Sequence, residues 1–454
     1  MLLPPRHQLS KSTFMMGCQC EKRLWLHKFQ PDLKDEMDEA QQTIFQNGTN
    51  VGKLAEQLFP GGVDARPKDS YSYPQSVTDT ARYIAEGKTI IYEAAFQYEG
   101  LLCALDILVK KDGKWYGYEV KGATKSKEPY IQDVAFQYYV IINAGLELED
   151  ISLTLLNTGY KRRGELDVHQ LFHFVSIKQE VEALQNTIAL KAEGLKALLK
   201  QKEVPQITIG GHCSKPYQCD FYGHCSEGIV QEESDYGNAH INKKAIAGFL
   251  DEIEYPLYYM DFETWSSTIP EFDGHWAFRH NCFQYSVHVQ RTPGSEPEHY
   301  YYLADGVESQ SLEFLEQLLS VLDDEGTVLA YNKTFEKTRL NELKREHPQY
   351  EEKVDAILER LMDLMSPFWS HYRLPEMEGS RSIKYVLPAL VPELSYDDLE
   401  IGNGGDASSA FYNLRFETDS EKIQITRNAL LEYCGLDTLA MVKIMEKLIE
   451  IINN

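Results

Sequence analysis

The chain has 454 residues, a formal net charge of −25, 43% hydrophobic residues and 25% charged residues. These values exclude a disordered chain and a single small module, and they suit two or three domains that each bury a core. No apolar run is long enough to cross a bilayer, and the acid excess excludes a surface that is basic throughout.

In chain order, KSTFMMGCQCEKRLWL (11–26) is broken by charge, so it has no signal-peptide apolar core and a cytoplasmic location is expected. The sequons at Asn47 and Asn332 then carry no meaning. EGKT at 86–89 lacks the upstream glycine of a phosphate-binding loop. The stretch 101–121 predicts two strands, Leu101 to Lys110 and Lys114 to Lys121, joined by an Asp112-Gly113 turn. Glu119 and Lys121 share a face, Val120 points into the core, and a hairpin can bring Asp106 beside them. Two carboxylates and a lysine at one edge suit a Mg²⁺ site for phosphodiester hydrolysis. There the acids hold the metal, and the lysine orients or deprotonates a water. A solvated strand shows the same Glu and Lys alternation. Basic residues cluster at Lys121, Lys125 and Lys127, and again at Lys161, Arg162 and Arg163. The first cluster suits phosphate contacts.

Eight cysteines occur, and three of them, Cys213, Cys219 and Cys225, lie in HCSKPYQCDFYGHC. In a reducing compartment such a group points to a metal site before disulfides. A fourth ligand is available at Cys18 or Cys20. Zinc and a [4Fe–4S] cluster both take four thiolates. The wide spacing with one remote ligand suits the cluster better, and His212 or His224 would substitute in a zinc site. Cys103, Cys282 and Cys434 read as buried thiols.

LSKSTFMMGCQCEKRLWL, YEAAF, ALDILV, YEVKG, QDVAFQYYV and the three late cysteines together resemble the RecB-like branch of the PD-(D/E)xK nucleases, over about Leu9 to Gly228. The most similar group carries an iron–sulfur clasp and includes the AddB nuclease domain and CRISPR-adaptation exonucleases. The resemblance implies Cys20, Cys213, Cys219 and Cys225 as cluster ligands. It implies Asp106 and Glu119 as metal ligands, Lys121 as catalytic lysine, Gln137 as the helix glutamine and Glu93 as an accessory acid. One departure is Gly52, which stands where many such enzymes place a metal-binding histidine.

QEESDYGNAHINKK (231–244) reads as part of a linker spanning 231–250, between a first domain at 1–230 and a second at 251–454. The second domain opens on the strand PLYYMDFETW, whose Asp261 and Glu263 share a face. GTVLAYNKTFEKTRLNEL predicts a strand, Thr327 to Tyr331, then a helix with Asn332 and Glu336 on one side of its start. Asp363 is a nearby acid. The helix at 425–448 carries Tyr433 and Asp437 one turn apart. IGNGGDASSAF reads as a loop beside the cleft.

The order DFE, helix acid, YxxxD resembles the DEDDy 3′–5′ exonucleases of the RNase H-like fold, over about Tyr255 to Ile452. It implies Asp261, Glu263, Glu336 and Asp437 as ligands of two metals, with Tyr433 orienting the attacking water. Glu336 departs from the usual aspartate. SRSIKYVLPALVP resembles the segment between the later motifs. Together the halves resemble a bacterial two-domain family. The expected fold is α/β, a PD-(D/E)xK core plus an RNase H-like domain with a mixed sheet. The expected cofactors are a [4Fe–4S] cluster, with zinc as alternative, and Mg²⁺ or Mn²⁺. The expected partner is DNA, with RNA left open, and no membrane. The competing reading is a nucleic-acid-binding scaffold with a structural iron–sulfur cluster and one or both sites inactive.

Overall fold

Two-residue turns set the architecture of the first half. In this computed structural model Asp112 and Gly113 adopt φ of 53° and 80°, and Glu99 and Gly100 adopt 44° and 79°. Both pairs form tight turns whose twist matches that of flanking strands. They fold three successive segments into an antiparallel meander. The structure describes residues 4, 6–36, 39–69, 71–227, 238–308, 310–397 and 399–453, with backbone alone for 39–46. It divides into two compact units: residues 1–229 with 268–278, and residues 230–267 with 279–454.

In the first unit the strands are β1 (Leu9–Ser10), β2 (Val63–Asp64), β3 (Ile90–Tyr98), β4 (Leu101–Lys111), β5 (Lys114–Val120), β6 (Leu148–Leu156) and β7 (Phe172–Ser176). Their order is β2-β3-β4-β5-β6-β7, with β1 beside β4. β3, β4 and β5 run antiparallel, and β6 lies parallel to β5. A parallel neighbour requires a crossover, and the helix Glu128–Asn143 supplies it. That helix buries Val134, Ala135 and Phe136, and Phe136 stacks on Phe14 at 4.4 Å. Phe14 lies on helix α1 (Lys11–Gln19), which Ser10 caps in a capping box; helix α2 (Glu21–Phe29) follows. β4 ends one residue later than expected and β5 one residue earlier, so Lys121 stands just past the strand.

The second unit has β8 (His240–Ile241), β9 (Leu257–Ser266), β10 (His280–Gln290), β11 (Glu298–Leu303), β12 (Thr327–Ala330), β13 (Leu361–Asp363) and β14 (Tyr372–Arg373). The main sheet runs β11-β10-β9-β12-β13. β9, β10 and β11 are antiparallel, while β12 and β13 run parallel to β9. Tyr258, Tyr259 and Met260 on β9 are fully buried, which makes β9 the central strand. The C-terminal helix Ser420–Asn453 buries Leu430, Tyr433, Cys434, Asp437 and Met441 at helical spacing.

Three expectations need correction. Residues 243–250 form a helix rather than linker, because Asn242 caps them through Ala245 N–H. Residues 231–237 of that linker lie outside the described residues. Asn332 is not on a helix face: it takes φ of 63°, and the helix starts at Thr334. The glycine-rich stretch is not a loop, since Asn403 caps a helix at Gly404–Asn413 through Asp406 N–H.

Candidate functional site

Period 2 puts Asp261 and Glu263 on one face of β9, and the C-terminal helix brings Asp437 to the same point. Their ligand atoms lie within 4.8 Å of one another, the one such trio of acids, histidines or thiols among the described residues. Glu336, in the first turn of its helix, is 3% exposed, and its Oε2 has no hydrogen-bond partner. Tyr396 donates to Asp437 Oδ1 at 2.7 Å. Tyr433 also hydrogen-bonds Asp437, and the Cys434 thiol faces Asp261 Oδ2 at 3.6 Å.

The electrostatics follow from this crowding. Burial first, then Asp437, Glu263 and Glu336, hold the Asp261 carboxyl well above the usual range. Burial, Asp437 and Glu336 push Glu263 up to about 8. Burial, with Asp363 and Asp437, pushes Glu336 up to about 8. Asp437 rises less, to about 6: burial raises it, and the Tyr396 bond, Lys384 and Tyr433 restrain it. Lys384 is the ammonium acting on both Glu263 and Asp437, and its Nζ lies 5.6 Å from the Tyr396 and Tyr433 rings. Arg339 acts on Glu336 but already lies 2.9 Å from Glu342. Burial, then Asp437, raise the Tyr433 phenol, so it stays a hydrogen-bond donor. Asp363 is structural at one oxygen, accepting from Asn332 and Met365 N–H at 2.9 and 3.0 Å. Asp261, Glu263 and Asp437 could together hold a divalent cation, with Glu336 as a further acid nearby, and an all-oxygen donor set is the type that Mg²⁺ or Mn²⁺ takes.

The first unit assembles the other predicted residues. Asp106 Oδ2 accepts from Val120 N–H at 2.6 Å, which ties β4 to the end of β5. Glu119 is 1% exposed, and its Oε1 takes Lys121 and Lys11, both at 2.8 Å. Lys121 also binds Asp133 Oδ2 at 2.5 Å. Gln137 is fully buried and reaches this network only through Asp133 Oδ1, at 3.4 Å. Glu93 has φ of 51° and lies between the pairs Tyr92–Ile107 and Ala94–Leu105, a place in the register opposite Asp106. It shares a cleft with Asp106 and lies 3.4 Å from Arg66.

Burial would raise Glu119, but Lys11 and Lys121 outweigh it and bring its carboxyl down to about 2. Asp106 goes the other way, well up, through burial and the charge of Glu119. Against burial, Asp133 and Glu119 raise Lys121, so it is an ammonium in this arrangement and orients rather than deprotonates. A Cβ placed on Gly52 meets nothing within 4 Å, so open space stands at the position of the missing histidine. One oxygen of Glu119, Oε2, is buried without a hydrogen-bond partner and can serve a cation.

Cys20, Cys213, Cys219 and Cys225 line one small cavity, although the chain separates the first from the rest by nearly the whole unit. Polar clasps bring the ends together. Gln19 donates to His212 O and Tyr217 O at 2.8 and 2.7 Å, and Asp220 binds Arg23 and Lys34 at 2.7 and 3.1 Å. Trp25, Leu26 and Phe221 form an apolar cluster with Cys213 and Cys219. All eight cysteines are free thiols. Cys18 lies outside the lining residues and Cys20 within them. Four thiolates on one zinc ion sit about 3.8 Å apart by tetrahedral geometry. The thiols are not among the tight groups of candidate ligands, so their spacing does not choose between zinc and a cluster. The described thiols fit a four-thiolate group as a donor set. Cys103 and Cys434 are buried as expected; Cys282 is only partly so.

Motif spacing left several of these residues unmarked. Lys11 and Asp133 sit inside the stretches that carry the first resemblance, and Lys384 inside SRSIKYVLPALVP, where a lone lysine among apolar residues was the available signal. Tyr396 had none.

A family model described as "Domain of unknown function (DUF2779)" matches residues 258–382. The chain is 29% identical over 214 residues to "Uncharacterized protein MG366 homolog" of Mycoplasma pneumoniae, covering 41% of this chain and 31% of that protein. It is 32% identical over 150 residues to "Uncharacterized protein UU173" of Ureaplasma parvum, covering 28% and 21% respectively. The chain thus spans less than a third of these relatives' length. A solved structure titled "Crystal structure of SSO0001" aligns with 44% of this chain and 81% of that one, at 11% identity and a TM-score of 0.20, which carries no argument.

Proposed function

We propose that the chain is a metal-dependent phosphodiester hydrolase acting on DNA, with RNA as a second substrate class to test. The second unit would hold a 3′–5′ exonuclease centre on an RNase H-like sheet, and the first a RecB-like centre on a PD-(D/E)xK core. The carrying observation is the buried group Asp261, Glu263, Glu336 and Asp437, whose mutual repulsion a divalent cation relieves. Bound Mg²⁺ or Mn²⁺ supplies Lewis acidity and a more acidic water. The chain's own part is to hold and orient. Asp437 is fixed by Tyr396, and the Tyr433 phenol donates a hydrogen bond where an attacking water would be aligned. Lys384 offers a positive charge to a phosphate oxygen. In the first unit Lys121 and Lys11 do the same, and the thiol clasp ties the unit's ends together.

A second reading, a nucleic-acid-binding scaffold, draws on two observations: Glu119 Oε1 is already held by two ammoniums, and Gly52 provides no ligand. The test is cleavage of labelled single- and double-stranded DNA and RNA with Mn²⁺, using wild type, Asp261→Asn and Lys121→Ala. Loss of 3′ trimming in the first variant and of the remaining cleavage in the second is expected. A wild-type protein that cuts none of these substrates sinks the proposal.

A further inference from the structure

A cleft of about 520 Å³ opens beside Asp106 and Glu93 in the first unit. Its other wall is cationic. Arg6 and His7 arrive on the segment before β1, Lys28 from the last turn of α2, and the N-terminus of α1 contributes Lys11 and Ser12. A helix N-terminus leaves backbone N–H groups unpaired and favours an anion. The His7 Nδ1 atom is buried with no hydrogen-bond partner. Neither Arg6 nor Lys28 forms an ion pair among the described residues; Arg6 instead lies 5.9 Å from the Tyr71 ring.

A lysine near a helix C-terminus is favourable in itself, which accounts for Lys28 and not for the others. The groups on this wall also work against each other. Burial, then Arg6, lower Lys28; burial, then Lys28 and Arg6, lower His7. In a chain of net charge −25, Arg6 and Lys28 share this wall with the His7 imidazole and have no ion-paired carboxylate among the described residues, and an anion bound there would relieve them.

We infer that this wall is a subsite for a terminal phosphate of a nucleic-acid strand, held by Arg6, His7, Lys28 and the start of α1 while the adjoining linkage lies toward Asp106. A terminal phosphate carries about −1.5 to −2 charges, more than an internal phosphodiester, and two cationic side chains, a helix N-terminus and the unpartnered His7 nitrogen match the larger charge. The inference rests on the reading of the Asp106 centre as a phosphodiester site, yet it is tested without turnover.

The experiment measures fluorescence-anisotropy Kd values for one oligonucleotide with a 5′-phosphate, with a 3′-phosphate, or with hydroxyls at both ends, in buffer free of divalent cations. One phosphorylated end is expected to bind about tenfold tighter than hydroxyl ends, the size of one charge-assisted hydrogen bond. Arg6→Ala and Lys28→Ala should each erode that preference, and Lys28→Glu should abolish it. Their circular dichroism should be unchanged, because both side chains are exposed. Equal binding of all three oligonucleotides, or a preference that survives Lys28→Glu, overturns the subsite. Mn²⁺-dependent cleavage by wild type and Asp106→Asn is run in parallel. Cleavage without end preference removes the subsite and leaves the phosphodiester reading; end preference without cleavage removes that reading and leaves the subsite.

Discussion

Replacing Glu263 with glutamine should stabilise the metal-free protein, and only at high pH. The Glu263 carboxyl is held at about 8 in the folded chain, against 4.5 in the open. A raised acid contributes stability that is fully present below about pH 4.5 and is lost as pH rises through about 8. Glutamine imitates the protonated form at every pH. The full shift corresponds to about 5 kcal/mol. Part of it returns when Glu336 and Asp437, relieved of one repulsive neighbour, ionise more readily, so about 2 kcal/mol is the expected gain at pH 8.5. For a unit of this size that is about 4–8 °C in Tm. The assay is thermal unfolding of Glu263→Gln and wild type, without divalent cations, at pH 4.5 and 8.5, then with Mn²⁺. The variant should match wild type at pH 4.5, exceed it at pH 8.5, and lose most of the Mn²⁺-induced rise. Equal destabilisation at both pH values would refute the reasoning, since it would mean that Glu263 is a well-compensated structural acid.

Three further outcomes follow from the same geometry. Lys11→Met should destabilise the first unit by about 3 kcal/mol by stranding a buried carboxylate. Glu119 is held low, at about 2, so the stability it contributes is present above about pH 4.5 and lost toward pH 2; the variant's deficit in pH-dependent unfolding should shrink over that window. Tyr433→Phe should lower the rate of metal-dependent cleavage about 100-fold with little change in metal affinity, whereas Tyr396→Phe, which frees Asp437, should weaken metal binding measured by calorimetry. Cys20→Ser and Cys213→Ser should each remove the same bound group from anaerobically purified protein, read as visible absorbance with iron and sulfide, or as zinc. Cys18→Ser should leave it in place.

What sequence made legible was local. Alternation marked the pairs Asp261 with Glu263 and Glu119 with Lys121, and the Asp112-Gly113 turn closed the hairpin because only a few residues tolerate that backbone. Tyr433 and Asp437 were visible through helical spacing. The partners that set the charge state were not local. Lys11 reaches Glu119 across 108 positions, and Tyr396 reaches Asp437 across 41. No periodicity links such pairs, and each residue alone reads as an ordinary surface lysine or core tyrosine. The Asn332 error has the same root: helical spacing was extended through a residue whose N–H is taken by Asp363, on the next strand, so the helix begins later.

The two centres treat buried carboxylates in opposite ways. In the first unit Asp106, Glu119 and Asp133 face two ammoniums, Lys11 and Lys121, and the surplus negative charge falls on Asp106, whose carboxyl is held high. That centre is close to balance before any cation arrives. In the second unit Lys384 acts on only Glu263 and Asp437 of the four carboxylates, and the imbalance is stored as raised affinity for protons. A divalent cation entering there must displace protons from groups poised between about 6 and 8, whereas one entering the first unit must compete with lysines that do not titrate in that range. Cation binding to the second centre should therefore strengthen with pH across neutrality and release protons from several carboxylates, while binding to the first should release at most the one proton that Asp106 holds. Isothermal calorimetry in buffers of different ionisation enthalpy, with Asp106→Asn and Asp261→Asn isolating each centre, separates the two. Equal proton release from both variants would mean that the lysines do not buffer the first centre as its geometry implies.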